Sequence, residues 1–152
     1  MQGSSLKWTV STWGCRLLIG GVLLASALGK SLDLKGFVDV LVTYRFFPSW
    51  SLWPVALIII GIEWILAAWI LAGWRLRTGA LLALMLNSFY VLGLVVTLVR
   101  RLDLPNCGCY GVFFPQPLRW YSPLEDLMLV GICYALRIGA LKSRMPLDTV
   151  SK

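Results

Sequence analysis

The stretch LWPVALIIIGIEWILAAWILAG, residues 52–73, decides the fold. It is apolar from end to end apart from one ionisable side chain, Glu63. About 20 apolar residues are what an α-helix needs to cross a bilayer core, and in lipid only a helix or a closed barrel satisfies its own backbone polar groups. Residues 79–99, GALLALMLNSFYVLGLVVTLV, read the same way. Two further apolar runs, residues 13–29 and 124–141, lie on either side. Arg137 interrupts the last, but an arginine near a helix end can reach the headgroups along its own stem. Trp50, Trp53 and Trp74 flank the central stretch, Trp13 opens the first, and Trp120 with Tyr121 precedes the fourth. Such amphipathic rings prefer the depth of the headgroups. The expectation is an all-α, polytopic membrane four-helix bundle, one domain over residues 1–152, with spans at about 13–29, 52–73, 79–99 and 124–141.

Between the first two spans, Leu34, Phe37, Val38, Leu41 and Val42 recur at helical spacing, with Asp33, Lys35 and Asp39 elsewhere around the wheel. This predicts a short amphipathic helix lying at the interface, ended by the segment from Arg45 to Pro48. Lys7, Arg16 and the run Ala25-Ser26-Ala27 also resemble a signal peptide. The apolar run continues into Leu28-Gly29-Lys30 with no polar start, so the first span is kept as a span.

Composition points the same way. The 152 residues are 59% hydrophobic and 14% charged, about half the charged share of a soluble domain. The net charge is +7, but Lys and Arg sit at the ends of apolar runs and form no basic stripe with interleaved aromatics. That pattern belongs to membrane topology and anionic lipid, and excludes nucleic acid as the expected partner. The absence of histidine removes His-held haem, His-ligated zinc and Ser-His-Asp hydrolysis. With four spans both termini share one side, together with Arg16, Arg75, Arg77 and Arg137. Arg75 and Arg77 occupy a very short loop, where the positive-inside rule is strongest, so both termini are expected in the cytoplasm of a cell whose inner (plasma) membrane holds the chain.

The chemistry concentrates in the segment Pro105-Asn106-Cys107-Gly108-Cys109-Tyr110-Gly111, within the loop of residues 100–123, which this topology sets on the periplasmic or outer side. A disulfide across one residue closes a very small ring under strain, and the central glycine eases the backbone cost. Strain raises the reduction potential, which makes such a bond a poor staple and a reasonable exchange site. Two other readings stand beside it: unconnected structural thiols, or a thiolate pair for a soft metal such as Cu(I). Zinc would need two more ligands than the loop has. Arg100 and Arg101 precede the pair; positive charge there favours thiolate over thiol, and basic residues at a helix end also serve topology. Cys15 and Cys133 are expected to be inert buried thiols that do not meet.

Glu63 is the second candidate. A carboxylate at mid-span costs a few kcal/mol and is expected to face the bundle interior with a partner or a proton. Lys30, Arg100 and Asn87 are the candidate partners. The functional reading is a proton relay or a contact to quinone; the structural one is a hydrogen-bonded packing residue.

Three segments together carry a resemblance. RLLIGGVLLASALGK (16–30) resembles the first helix of the DoxX-like superfamily, and GIEWILAAWILAG (61–73) its second. The loop Cys107-Gly-Cys109-Tyr-Gly111 resembles the Cys-x-Cys-Phe-Gly signature of its MauE branch, with Tyr110 in place of Phe. The match runs over about residues 14–140, and the cysteine loop is its specific part. The resemblance implies a four-helix, redox-associated membrane protein. The MauE branch is associated with maturation of methylamine dehydrogenase, a periplasmic enzyme with a disulfide-rich small subunit, and wider relatives with thiosulfate oxidation using quinone. By that similarity Cys107 and Cys109 would be the redox pair, and Glu63 and Lys30 match recurring polar positions. The resulting expectation is a membrane thiol–disulfide redox protein. Its partner would be a periplasmic thioredoxin-like protein or a disulfide-containing substrate, and electrons would pass to quinone near Glu63, Lys30 and Arg100. A non-catalytic assembly or anchoring subunit and a small thiolate metal-handling protein are the alternatives.

Overall fold

The computed structural model describes residues 3–102, 104, 106, 107 and 117–142. Five α-helices follow in chain order: α1 (Gly3–Leu32), α2 (Leu34–Tyr44), α3 (Leu52–Ala72), α4 (Leu76–Val99) and α5 (Ser122–Lys142), with a 3₁₀ turn at Ser49–Ser51 before α3. No strand occurs among the described residues. Among the described residues, three helical segments are long and apolar enough to cross a membrane: Ser11–Leu32, Ser49–Ala72 and Leu76–Val99. The fourth apolar run is helical as well, but Glu125 and Asp126 in its first turns and Arg137 near its end set α5 apart from those three.

Helix α1 packs against α3 and α5, and α4 packs against α5. Their shared core is Ile19 and Leu23 of α1, Leu66, Ala67 and Ile70 of α3, Ala80 and Ala83 of α4, and Cys133 and Leu136 of α5. Alanines at the contact let backbones approach closely, which matters where lipid offers no hydrophobic drive for helices to associate. The outer faces remain apolar, with Leu57, Ile58 and Ile65 on α3 and Met85, Phe89 and Leu92 on α4 exposed. Such faces suit lipid and would be a liability in water.

At one end of the bundle two arginines close helix termini. Arg16 donates from Nε to the carbonyl of Ile70 at 2.9 Å and from its second guanidinium nitrogen to that of Leu71. Arg77 donates to the carbonyls of Ala140 (3.0 Å) and Leu141 (3.2 Å). The last carbonyls of a helix have no partner of their own, and a cation there also meets the negative end of the dipole. Gly73 ends α3 in the left-handed region (φ 73°), and a Cβ on it would lie 2.6 Å from the Arg16 guanidinium.

Helix α2 begins at Asp33, whose carboxylate accepts from the Gly36 N–H at 2.8 Å as an N-cap. Phe37, Val38 and Leu41 are buried against Leu52, Ala56 and Ile60 of α3, while Val42, on the predicted apolar stripe, is half exposed. Arg45, left-handed at φ 52°, stops the helix.

Candidate functional site

Ser26 and Lys30 stand four residues apart, so α1 presents both on one face. That face meets Glu63 of α3. Lys30 Nζ lies 2.5 Å from Glu63 Oε1, with the side chains 2% and 0% exposed. Ser26 Oγ donates to both carboxylate oxygens at 3.2 Å, and Tyr90 Oη of α4 donates to Oε1 at 2.7 Å. An ammonium and two hydroxyls from two helices thus converge on one carboxylate from a third. A buried charge is tolerable only when paired and hydrogen-bonded in this way. The Lys30 ammonium also lies 5.2 Å from the ring centroids of Phe37 and Tyr90, a cation–π arrangement on two sides. Asp126 of α5, 9% exposed, is within electrostatic reach of Lys30.

Of the three candidate partners for Glu63, the structure brings only Lys30 to it. Arg100 instead donates to the Tyr44 carbonyl at 3.4 Å, with its guanidinium 5.5 Å from the Phe46 ring centroid. It caps α4 at the end of the bundle, too far along the helix axis to serve a carboxylate at mid-span. Asn87 donates to the Ala83 carbonyl at 2.8 Å and lies 3.9 Å from Cys133 Sγ. Ser26, Tyr90 and Asp126 escape the sequence reading, because hydroxyls are ordinary in membrane helices and Asp126 directly follows Glu125 near the start of α5, where acids are common.

Above the ion pair opens a cleft of about 310 Å³ between α2, the segment after it, and α4. Phe37, Tyr44, Phe46, Phe47, Phe89 and Tyr90 line it beside aliphatic side chains, together with Lys30 and Cys107. A concave, mainly apolar space of this size with few polar groups is the usual form of a small-ligand site. Cys107 is 7% exposed, and its carbonyl accepts from Tyr44 Oη at 2.5 Å. Tyr44 in turn stacks on Phe46, centroids 5.9 Å apart. Cys109 lies outside the described residues. Cys15 and Cys133, expected not to meet, share one neighbourhood: Cys15 packs against the core cluster that contains Cys133. The reason is that α1 and α5 run side by side, which brings the two thiols to similar depth. Among the described residues no group of three or more His, Cys, Asp or Glu side chains could hold a metal ion.

The sequence matches the family described as "Methylamine utilisation protein MauE" over residues 7–139. It is similar to the methylamine utilization protein MauE of Paracoccus denitrificans, 24% identical over 127 residues, which cover 84% of this chain and 68% of that protein. No solved structure matches.

Proposed function

The chain belongs to the MauE family of methylamine utilisation proteins, and from that premise we propose that it is a membrane thiol–disulfide redox protein that oxidises or matures a periplasmic partner. Cys107 and Cys109 form the exchanging pair. The partner is a thioredoxin-like protein or a disulfide-containing substrate, and methylamine utilisation is the setting. The chain lies in the inner membrane as one four-span domain, with α5 as the fourth span, α2 at the outer interface and both termini in the cytoplasm. Burial of α5 against α1 and α4 supports its span, since Asp126 faces the Lys30 neighbourhood and Arg137 can reach the headgroups.

The observation that carries the reading is a single cleft lined by Cys107, Lys30 and Tyr90. The electrons taken from a partner dithiol need an acceptor, and the cleft suits a quinone. Its lining includes six flat aromatic rings, Lys30 can donate a hydrogen bond to a carbonyl oxygen, and Phe89 and Leu92 of its lining are each 60% exposed on an apolar face, where a prenyl tail would meet lipid. When bound, quinone takes up two electrons and two protons, the number that oxidation of one dithiol releases. Lys30 and Glu63 hold the polar end of the site; Arg100, turned to Tyr44 and Phe46, acts at the mouth.

The test uses the full chain in lipid nanodiscs, reduced and then freed of reductant. Addition of a short-tailed ubiquinone should protect Cys107 and Cys109 from alkylation in the wild type, and protection should vanish in Cys107→Ser and in Cys109→Ser. Absence of quinone-dependent protection would overturn the electron-transfer reading. Partner maturation that survives both substitutions would make the loop a docking element of an anchoring subunit instead.

A further inference from the structure

We infer that Tyr90 is the proton-transfer residue of the cleft: its hydroxyl passes a proton from the buried Lys30–Glu63 pair to the carbonyl oxygen of a quinone held there. The inference rests on the redox reading above and assigns one step within it. Lys30, Glu63, Ser26 and Tyr90 form one hydrogen-bonded cluster, and of these Lys30 and Tyr90 border the cleft of about 310 Å³. Glu63 is 0% and Lys30 2% exposed, whereas Tyr90 is half-buried. The Lys30 ammonium is engaged by the Glu63 carboxylate and lies 5.2 Å from the ring centroids of Phe37 and Tyr90. Tyr90 is thus the least covered member of the cluster that both touches the carboxylate and borders the cleft.

Glu63 Oε1 meets Lys30 Nζ at 2.5 Å and Tyr90 Oη at 2.7 Å, so one oxygen joins the ammonium to the phenol. An ammonium only donates, but a phenolic hydroxyl both accepts and donates, which handing a proton onward requires. A proton donor must also stand within hydrogen-bond reach of the atom it serves. A carbonyl set against Tyr90 in the cleft wall meets that condition. The titratable and charged groups around Tyr90 come from each neighbouring helix. Lys30 of α1 and Glu63 of α3 are in contact with it, and Asp126 of α5 acts through Lys30. Helix α2 brings Tyr44 to the same cleft, and Cys107 lies on its wall, with the Tyr44 hydroxyl turned to the Cys107 carbonyl.

The step balances with the dithiol and the quinone alone. Oxidation of the cysteine pair releases two electrons and two protons, and the quinone takes up both. At the polar end the Tyr90 O–H bond breaks as an O–H bond forms on the acceptor oxygen. Tyr90 regains a proton through Glu63 Oε1 from Lys30, and one of the two protons released by the thiols restores Lys30. The other goes to the second acceptor oxygen. Lys30, Glu63 and Tyr90 end as they began.

The experiment uses the full chain in nanodiscs with a short-tailed ubiquinone. Quenching of tryptophan fluorescence reads binding to the oxidised protein, and loss of alkylation reads oxidation of the reduced cysteines, with oxidation by glutathione disulfide as the reference rate. Tyr90→Phe keeps the ring beside Lys30 and removes the hydroxyl. It should bind quinone within about threefold of the wild type and lose at least about tenfold of the rate at saturating quinone, relative to the glutathione reference. Tyr90→Phe also takes a hydrogen bond from Glu63, so a second variant carries a fluorinated tyrosine at position 90. That residue keeps ring and hydroxyl but has a more acidic phenol. Its quinone-dependent rate should fall away at a pH about one unit lower than in the wild type, with the thermal midpoint of unfolding unchanged. A saturating rate in Tyr90→Phe within about threefold of the wild type, with or without weaker quinone binding, would make Tyr90 part of the wall only and overturn the inference. An unshifted pH profile with the fluorinated residue would overturn it as well. In either case quinone-dependent oxidation of the wild-type cysteines leaves the redox reading standing, whereas a wild type that quinone does not oxidise removes both.

Discussion

A lysine and a glutamate with no water around them are each costly, and their mutual attraction repays that cost only if the geometry is good and the remaining polar atoms are satisfied. Lys30 and Glu63 meet both conditions through Ser26 and Tyr90. Lys30→Met leaves the carboxylate buried and uncompensated, which should destabilise the protein by about 3–5 kcal/mol. The double variant Lys30→Met/Glu63→Gln removes both charges and keeps an amide for Ser26 and Tyr90, so most of that stability should return. Unfolding by sodium dodecyl sulfate in mixed micelles, followed by circular dichroism, measures both. A double variant as unstable as the single one would show that the pair is not what the charges are held by. At this scale the sequence was partly legible. A carboxylate inside an apolar run announces itself, and Lys30 was among its candidate partners. The hydroxyls of Ser26 and Tyr90 were not legible, because nothing in an apolar run distinguishes a serine or tyrosine that points inward from one that points to lipid.

Hydropathy and length are properties of a single helix, which is why the elements were the most readable level. The central runs at residues 52–73 and 79–99 return as Leu52–Ala72 and Leu76–Val99. The first helix is longer than its apolar run, from Gly3 to Leu32, because its early polar residues continue the same helix. How helices end was hidden, since the caps come from distant sequence. Arg16 reads as a topology charge, yet its guanidinium holds the last carbonyls of α3, 54 residues away. Gly73 makes that arrangement possible, with a left-handed backbone and no Cβ where the guanidinium lies. Gly73→Ala brings both a left-handed alanine and a clash, and should cost about 1–2 kcal/mol. Gly79→Ala, whose Cβ would come no closer than 3.4 Å to Ile70, should cost less. The same detergent titration separates them, and equal loss in the two would mean that the Arg16 cap is not the constraint at Gly73.

A cleft belongs to the whole molecule. Lys30, Tyr44, Tyr90 and Cys107 come from α1, α2, α4 and the chain beyond α4, and no local pattern declares that they border one space. The sequence could name Cys107 and Glu63 as separate candidates; only the packing of the helices puts one cavity against both Cys107 and Lys30, the ion-pair partner of Glu63. That cavity offers a way to separate the two halves of the proposed cycle. Gly93 of α4 lines the cleft, and a Cβ added there would meet nothing nearer than Phe46 at 4.0 Å. Gly93→Ala should therefore fold at least as well as the wild type, with up to about 1 kcal/mol gained from helix propensity. Gly93→Leu puts a branched side chain into the space an acceptor would occupy. If electrons leave through the cleft, quinone-dependent protection of the cysteines should weaken progressively from Gly93→Ala to Gly93→Leu. Oxidation of the reduced cysteine pair by glutathione disulfide should stay at the wild-type rate in both. Undiminished protection in Gly93→Leu would mean that the acceptor is reached by another route, and the cleft would then be a packing feature of the bundle with no part in electron transfer.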